Sequence, residues 1–187
     1  FLLKNSIPEI SGFEENSGLG IRYLLKNNLG FISINKLDKE SIKFAIEKSI
    51  RLTKSSESIS EKISFSKESR YKENYEVKQK IKIKDLTPDK KLDCLREIDK
   101  NIKKIPGRFL SLNDSVTEKY FVNSEGSKIY SVIPKISFYA YLTVDYNKKT
   151  IQKYRSYGSS SGYEIMKKWD LSNSISDEVK LLTNVLK

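Results

Sequence analysis

No histidine occurs among the 187 residues, and that removes most of the usual chemistry at once. Ser-His and Cys-His nucleophiles, the commonest general base and histidine-rich zinc sites all need an imidazole that this chain does not contain. What remains is one thiol, a few adjacent carboxylates and scattered glycines. Cys94 falls at the edge of a helical apolar stripe with no base to activate it, so it reads as a small packed residue rather than a nucleophile. Glu14 and Glu15 lie in a turn, Glu97 and Asp99 on a helix, and no spacing aims two acids at one point. Gly18, Gly20 and Gly30 sit inside strand patterns, whereas a phosphate loop places its glycines between a strand and a helix N-terminus. They imply a tight bend or close backbone approach. The residues alone therefore describe an α+β domain that is not catalytic by itself.

The elements that would position any site are easier to read. Ile136, Phe138, Ala140, Leu142 and Val144 alternate strictly with Ser137, Tyr139, Tyr141, Thr143 and Asp145, the period of a strand with one face in a core. Tyr139 and Tyr141 then point outward and become candidate contact residues. Arg108 to Val116, Lys119 to Asn123, Lys128 to Ile133 and Lys149 to Tyr157 are rich in β-branched and aromatic residues, so an antiparallel meander of four or five strands is expected. Gly126, after Asn123, is placed where a hairpin loop needs positive φ, and Asp145-Tyr146-Asn147 forms the next turn.

Upstream, Phe1 to Lys4 and Ile7 to Ile10 are short extended pieces around Pro8, and Leu19 to Ile34 reads as a hairpin turning at Asn27-Asn28. Asp38 caps a helix striped by Ile42, Ala45, Ile46, Ser49 and Ile50; Thr87, followed by Pro88, caps a second striped by Leu92, Leu95, Ile98, Ile102 and Ile105. Between them, 55–74 reads as a mobile insertion and Tyr75 to Lys84 as a lysine-lined edge strand. After the meander come a flexible joint at 158–162 and helices over Tyr163 to Trp169 and Ser176 to Lys187, the latter capped by Ser176. The expected fold is α+β: a two-layer sandwich in which a mostly antiparallel sheet, hairpin plus meander, packs against amphipathic helices in one domain spanning 1–187.

The formal charge of +11 invites a nucleic-acid partner, but nearly all the excess is lysine interleaved with Glu and Asp, which favours a solvated surface. A basic nucleic-acid-binding module using Lys78 to Lys84 and a stand-alone dimerisation domain using strand edges and the outer tyrosines are kept as alternatives. No apolar run approaches the roughly 20 residues of a membrane span. A lone cysteine suits a reducing compartment, and the expected location is the cytoplasm. Phe1 at the start and a helical pattern running into Lys187 suggest that both ends are cut.

At Gly18-Leu19-Gly20-Ile21-Arg22, then Gly30-Phe31-Ile32-Ser33 with Asn35, then the capped helix of Ile42 to Leu52, the chain resembles the N-terminal domain of the TldD/PmbA proteins. Leu92 to Ile105 is similar to that family's second helix. Asp114-Ser115-Val116-Thr117-Glu118 with Val122-Asn123-Ser124-Glu125-Gly126 is similar to its paired strands and turn, and Tyr157-Gly158 to Gly162-Tyr163-Glu164 to its glycine-rich joint. The resemblance covers nearly the whole chain. It implies a metallopeptidase, historically called a modulator of DNA gyrase, that acts on small or unfolded polypeptides as a homo- or heterodimer of related subunits. It also implies a metal, zinc, held by a His-Glu-x-x-x-His helix in a region beyond this one. No residue here matches that motif, so no catalytic or metal residue carries over. The implied role is a non-catalytic N-terminal domain that helps to form the substrate cleft and the subunit interface.

Overall fold

The computed structural model describes residues 1–9, 12–59 and 61–187. Ile10, in the expected edge segment, and Ser60, in the expected insertion, lie outside them. The chain is α+β and divides into two compact units, Phe13–Ser69 and a larger one made of Phe1–Gly12 with Arg70–Lys187.

In the smaller unit β3 (Leu19–Leu25) and β4 (Asn28–Ile34) form a two-stranded antiparallel sheet beside α1 (Lys39–Ser55). Asp38 caps α1 as its type and position predict, accepting a hydrogen bond from the Ser41 N–H at 2.9 Å. The strand and helix are joined through one tyrosine: Tyr23 Oη lies 2.6 Å from Ser49 Oγ and 3.0 Å from Thr53 Oγ1, which is why two hydroxyl residues are the buried positions of α1. To reach them the Tyr23 ring crosses its register partner Gly30, where a Cβ would lie 2.1 Å from the ring. A Cβ on Gly18 would also be tight, 3.1 Å from the Ile34 carbonyl oxygen, while one on Gly20 would meet only ordinary contacts.

The larger unit is built on two long strands, β6 (Gly107–Val122, 16 residues) and β7 (Lys128–Tyr146, 19 residues). On the outer edge of β6 lie β1 (Leu2–Lys4) and β2 (Ile7–Pro8); on the far edge of β7 lie β5 (Lys72–Glu76), parallel, and β8 (Lys149–Ser159), antiparallel. The meander therefore has three strands rather than four or five. The expected break at Pro134 does not end β7, because the proline falls between Val132, the last partner of β5, and Ile136, the first partner of β8. A residue with no N–H costs nothing where that edge has no partner.

The alternation of β7 is realised in full, with Ile136, Phe138, Ala140, Leu142 and Val144 all buried and Tyr141 54% exposed. The buried face packs on α2 (Pro88–Asn101) and α4 (Leu171–Leu186) through Leu95, Ile98, Ile102, Leu171, Ile175 and Leu182. Thr87 Oγ1 accepts from the Lys90 N–H, and Pro88 occupies the first turn. The last helix begins earlier than expected: Asp170, at φ +44°, ends α3 (Ile165–Trp169) and α4 starts at once, so Ser176 is within the helix and not its cap.

Four expectations about the path of the chain are corrected. Hairpin and meander form separate sheets rather than one. The insertion expected over 55–74 begins inside α1 and ends inside β5. The expected strand 75–84 stops at Glu76, beyond which the chain is laced to the β8 exit: Ile81 N–H donates to Glu164 Oε2 at 2.9 Å, and Ile81 O accepts from Tyr163 N–H at 2.8 Å. In the stretch expected as a flexible joint, Gly158 and Ser159 belong to β8, and Gly162 is buried where a Cβ would lie 2.3 Å from the Ile81 oxygen.

Two-residue turns with both residues at positive φ close three hairpins, at Asn5-Ser6, Lys26-Asn27 and Asn147-Lys148. This is the turn geometry that matches strand twist, here supplied by asparagine instead of glycine. Gly126 is different, at φ +98° in the loop joining β6 to β7, its N–H donating to the Asn123 oxygen. Gly126→Val is expected to lower stability by roughly 1–3 kcal/mol, since a β-branched residue is strained there; an unchanged denaturation midpoint would count against it.

Candidate functional site: the open face of the sheet

The helices cover one face of the larger sheet, and the residues on its other face follow from register. Phe109, Tyr141 and Tyr154 are aligned across β6, β7 and β8, as are Ser111, Tyr139 and Ser156, and then Asn113, Ser137 and Gly158. The first row forms an aromatic strip: Tyr141 and Tyr154 have ring centroids 4.7 Å apart, Phe109 meets Tyr141 edge-on at 5.8 Å, and Tyr139 stacks on Tyr154 at 6.1 Å. Beside it lies an open groove of about 620 Å³ whose lining includes Asn113, Ser115, Lys135, Ser137, Tyr139 and Ser159. The surface offers rigid aromatic area and many hydrogen-bonding groups. Among the described residues none of its serine hydroxyls is hydrogen-bonded to a basic group.

The strongest electrostatics are buried and structural. Lys91 on α2, with its side chain 5% exposed, places Nζ 3.0 and 2.9 Å from the Asp114 carboxylate oxygens on β6. Tyr163 Oη donates to the same carboxylate, and the Lys91 ammonium lies 5.4 Å from the Tyr163 ring centroid. Burial, then the Asp114 hydrogen bond and charge, hold the Tyr163 hydroxyl far above its ordinary pKa. A second cluster joins α2 to the first hairpin: Arg108 Nε donates to Asp99 Oδ1 at 2.5 Å, Ser6 Oγ to Asp99 Oδ2 at 2.5 Å, and Arg108 Nη2 to Ser6 Oγ at 2.7 Å. The third is Arg155 on β8 with the buried Glu178 of α4, Nε to Oε2 at 2.8 Å.

These contacts settle what the sequence's candidate groups do. Asp99 is committed to Arg108, while Glu97, Glu14 and Glu15 are exposed and apart from any second acid held for catalysis. Cys94 donates to the Lys90 oxygen at 3.3 Å, and burial, with the Glu97 and Asp93 carboxylates, pushes its thiol up and away from the thiolate. Among the described residues no cluster of His, Cys, Asp and Glu could hold a metal ion. Asp114, the one acidic residue among the described lining residues of the groove, has its carboxylate on the helix side, satisfied by Lys91 and Tyr163. The donor set here does not fit a peptidase metal. The lysine face expected over Lys78 to Lys84 is not formed either, because that stretch is not a strand. No helix is long and apolar enough to cross a membrane.

Residues 81–183 match the family model of the PmbA/TldA metallopeptidase central domain, and residues 1–53 that of PmbA/TldA metallopeptidase domain 1. The chain belongs to the PmbA/TldD metallopeptidase family. The two matches divide what the sequence reads as one N-terminal domain. Among the family, the metalloprotease MJ0996 of Methanocaldococcus jannaschii is 33% identical over 144 residues, covering 74% of this chain and 31% of that protein. TldE from Thermococcus kodakarensis has a similar structure, with TM-score 0.70 and 15% identity over 96% of this chain and 41% of its own. A Bacteroides thetaiotaomicron protein solved as a candidate modulator of DNA gyrase gives TM-score 0.71 and 19% identity over 86% and 38%. At such identities the two structures speak to the fold. The PmbA/TldD chain described here spans about a third of its curated relative's length and about two fifths of the solved ones.

The aromatic strip is half visible in the sequence. Alternation alone turns Tyr139 and Tyr141 outward, whereas Phe109 and Tyr154 join them only through register. Placing the two-residue turn at Asn147-Lys148 would have set Tyr141 opposite Tyr154.

Proposed function

We propose that this chain is the non-catalytic part of a PmbA/TldD-type metallopeptidase of the cytoplasm that cleaves small or unfolded polypeptides, with the open sheet face walling the substrate cleft. Family membership carries the reading, and the chemistry of the chain agrees with it. With no histidine and every buried carboxylate committed to a cation, the metal, zinc by family resemblance, belongs to residues outside these 187. Tyrosines suit a cleft wall because they give large contact area with few torsions to immobilise.

The contact with a related subunit falls to a different part of the same sheet. Beyond Leu112 the outer edge of β6 has no strand partner among the described residues, and Val116, Tyr120, Phe121 and Val122 along it are exposed. Unpaired backbone flanked by apolar side chains is what strand addition uses.

A photo-crosslinking residue in place of Tyr141 in the full-length protein, held inactive by a chelator, is expected to label an unfolded polypeptide, whereas one in place of Tyr120 is expected to label the partner subunit. Absence of polypeptide labelling from position 141 would remove the cleft-wall assignment.

A further inference from the structure

We propose that the open face is an extended-peptide subsite with a charge preference: it takes a polypeptide segment whose acidic group meets Lys135 and whose aromatic or large apolar side chain lies on the Tyr141 strip. The proposal rests on the cleft-wall reading above and adds to it a specificity that the reading does not require.

Three observations converge on it. Lys135 and Tyr141 are on one strand and one face, six residues apart, so their side chains emerge roughly 20 Å from each other along β7. The groove occupies the interval between them, with Ser137 and Tyr139 on its floor and Asn113 and Ser115 beside them as hydrogen-bonding partners for a backbone. The charge in that groove is one-sided. Lys135 is exposed and in no ion pair among the described residues, and Asp114, the one acidic residue among the described lining residues, turns its carboxylate to the helix side, where it is paired with Lys91.

An occupant that satisfies both ends is an extended chain. Side chains on a strand-like peptide return to the same side every second residue, so a separation of six brings an acid and an aromatic onto the sheet together, whereas a separation of three puts them on opposite sides. Hydroxyls and one amide along the groove suit carbonyls and N–H groups of any sequence. Selectivity then comes from the two ends alone, and the positive surplus of the chain as a whole, +11, favours approach of acidic segments.

The test uses the whole 187-residue chain and Ser/Thr-rich fluorescent peptides of about a dozen residues, with Asp and Trp six positions apart in the reference peptide. Fluorescence anisotropy is expected to show binding that falls roughly tenfold, the effect of about 1.4 kcal/mol, in each of three cases: Asp changed to Lys in the peptide, the separation changed to three, or Lys135→Glu in the protein. The Lys peptide is expected to recover on the Lys135→Glu chain, a rescue that a folding defect cannot imitate. Equal binding of Asp and Lys peptides would overturn the proposal. So would no peptide binding accompanied by a self-association that Lys135→Glu or Tyr141→Ser abolishes in light scattering, because the face would then be covered by a second copy. The two readings fail separately: charge-independent binding sinks the subsite and leaves the cleft wall standing, while absence of crosslinking at position 141 in the intact protein removes the wall whatever the isolated chain binds.

Discussion

Lys91→Met is expected to lower the stability of the larger unit by about 3–5 kcal/mol, the usual cost of stranding one partner of a buried ion pair. Asp114 would keep the Tyr163 hydroxyl and the charge of the Phe1 ammonium, without the buried Lys91 partner, for a carboxylate whose side chain is 12% exposed. Asp114→Leu alone is expected to cost as much, because it leaves the Lys91 ammonium buried between aromatic rings with no anion. The double variant should recover much of the loss, since two apolar side chains in place of a buried pair are often neutral. Against a typical total of about 5–15 kcal/mol the single changes are large. Trp169 is the only tryptophan and packs 5.7 Å from Tyr157 in this unit, so its fluorescence in urea follows the right transition. Single and double variants equally unstable would show that shape, and not charge pairing, sets the requirement. Tyr163 adds a pH signature of known sign. Its hydroxyl is held well above the ordinary tyrosine value of about 10, so its contribution is complete at neutral pH and is lost as pH climbs beyond that value.

This cluster also marks where the sequence stops being readable. A lysine at position 91 reads as surface, and nothing local says otherwise; it is 4% exposed only because Asp114, 23 residues on, meets it across the helix–sheet interface. By contrast, Asp38, Thr87 and the alternation of β7 are local signals, set by capping geometry and strand pleat, and the structure follows each of them. Which strands share a sheet is a non-local choice. Hairpin and meander carry the same alternation, and no periodicity tells Leu19–Leu25 to pair only within its own hairpin while Leu2–Lys4 crosses to Phe109–Ser111. The lysine-alternating stretch after Tyr75 shows the opposite failure. Its pattern is that of a strand, yet the side chains of Glu164 and Gln79 take the backbone N–H groups of Ile81 and Ile83, and Ile83 turns into the core. The candidate site was legible to the extent that alternation gave one row of outward tyrosines, and hidden where it depended on register across three strands.

The proposed division of labour, with catalysis outside this chain, gives the second large effect. The isolated 187-residue chain is expected to leave an unfolded polypeptide such as reduced, alkylated casein intact, with or without added zinc, while the full-length protein cleaves it and loses that activity to a chelator. The expectation follows from chemistry that can be counted. Peptide hydrolysis by a metal needs about three protein ligands and a bound water, and here histidine is absent, burial and neighbouring carboxylates push the Cys94 thiol up, away from the thiolate, and Asp99, Asp114 and Glu178 are each paired with a cation. Removing any of those acids to free a ligand site would cost stability before it gained a metal. Mixing the isolated chain with full-length protein separates the remaining roles. If the open face binds polypeptide, excess chain should compete for substrate and slow cleavage, and Tyr141→Ser should relieve that inhibition. Chelator-sensitive cleavage by the isolated chain would overturn the assignment of catalysis to the rest of the protein. A full-length protein that carries the histidine motif, binds zinc and still cleaves nothing would take away the peptidase reading, and would leave the tyrosine strip as a polypeptide-binding surface without an enzyme behind it.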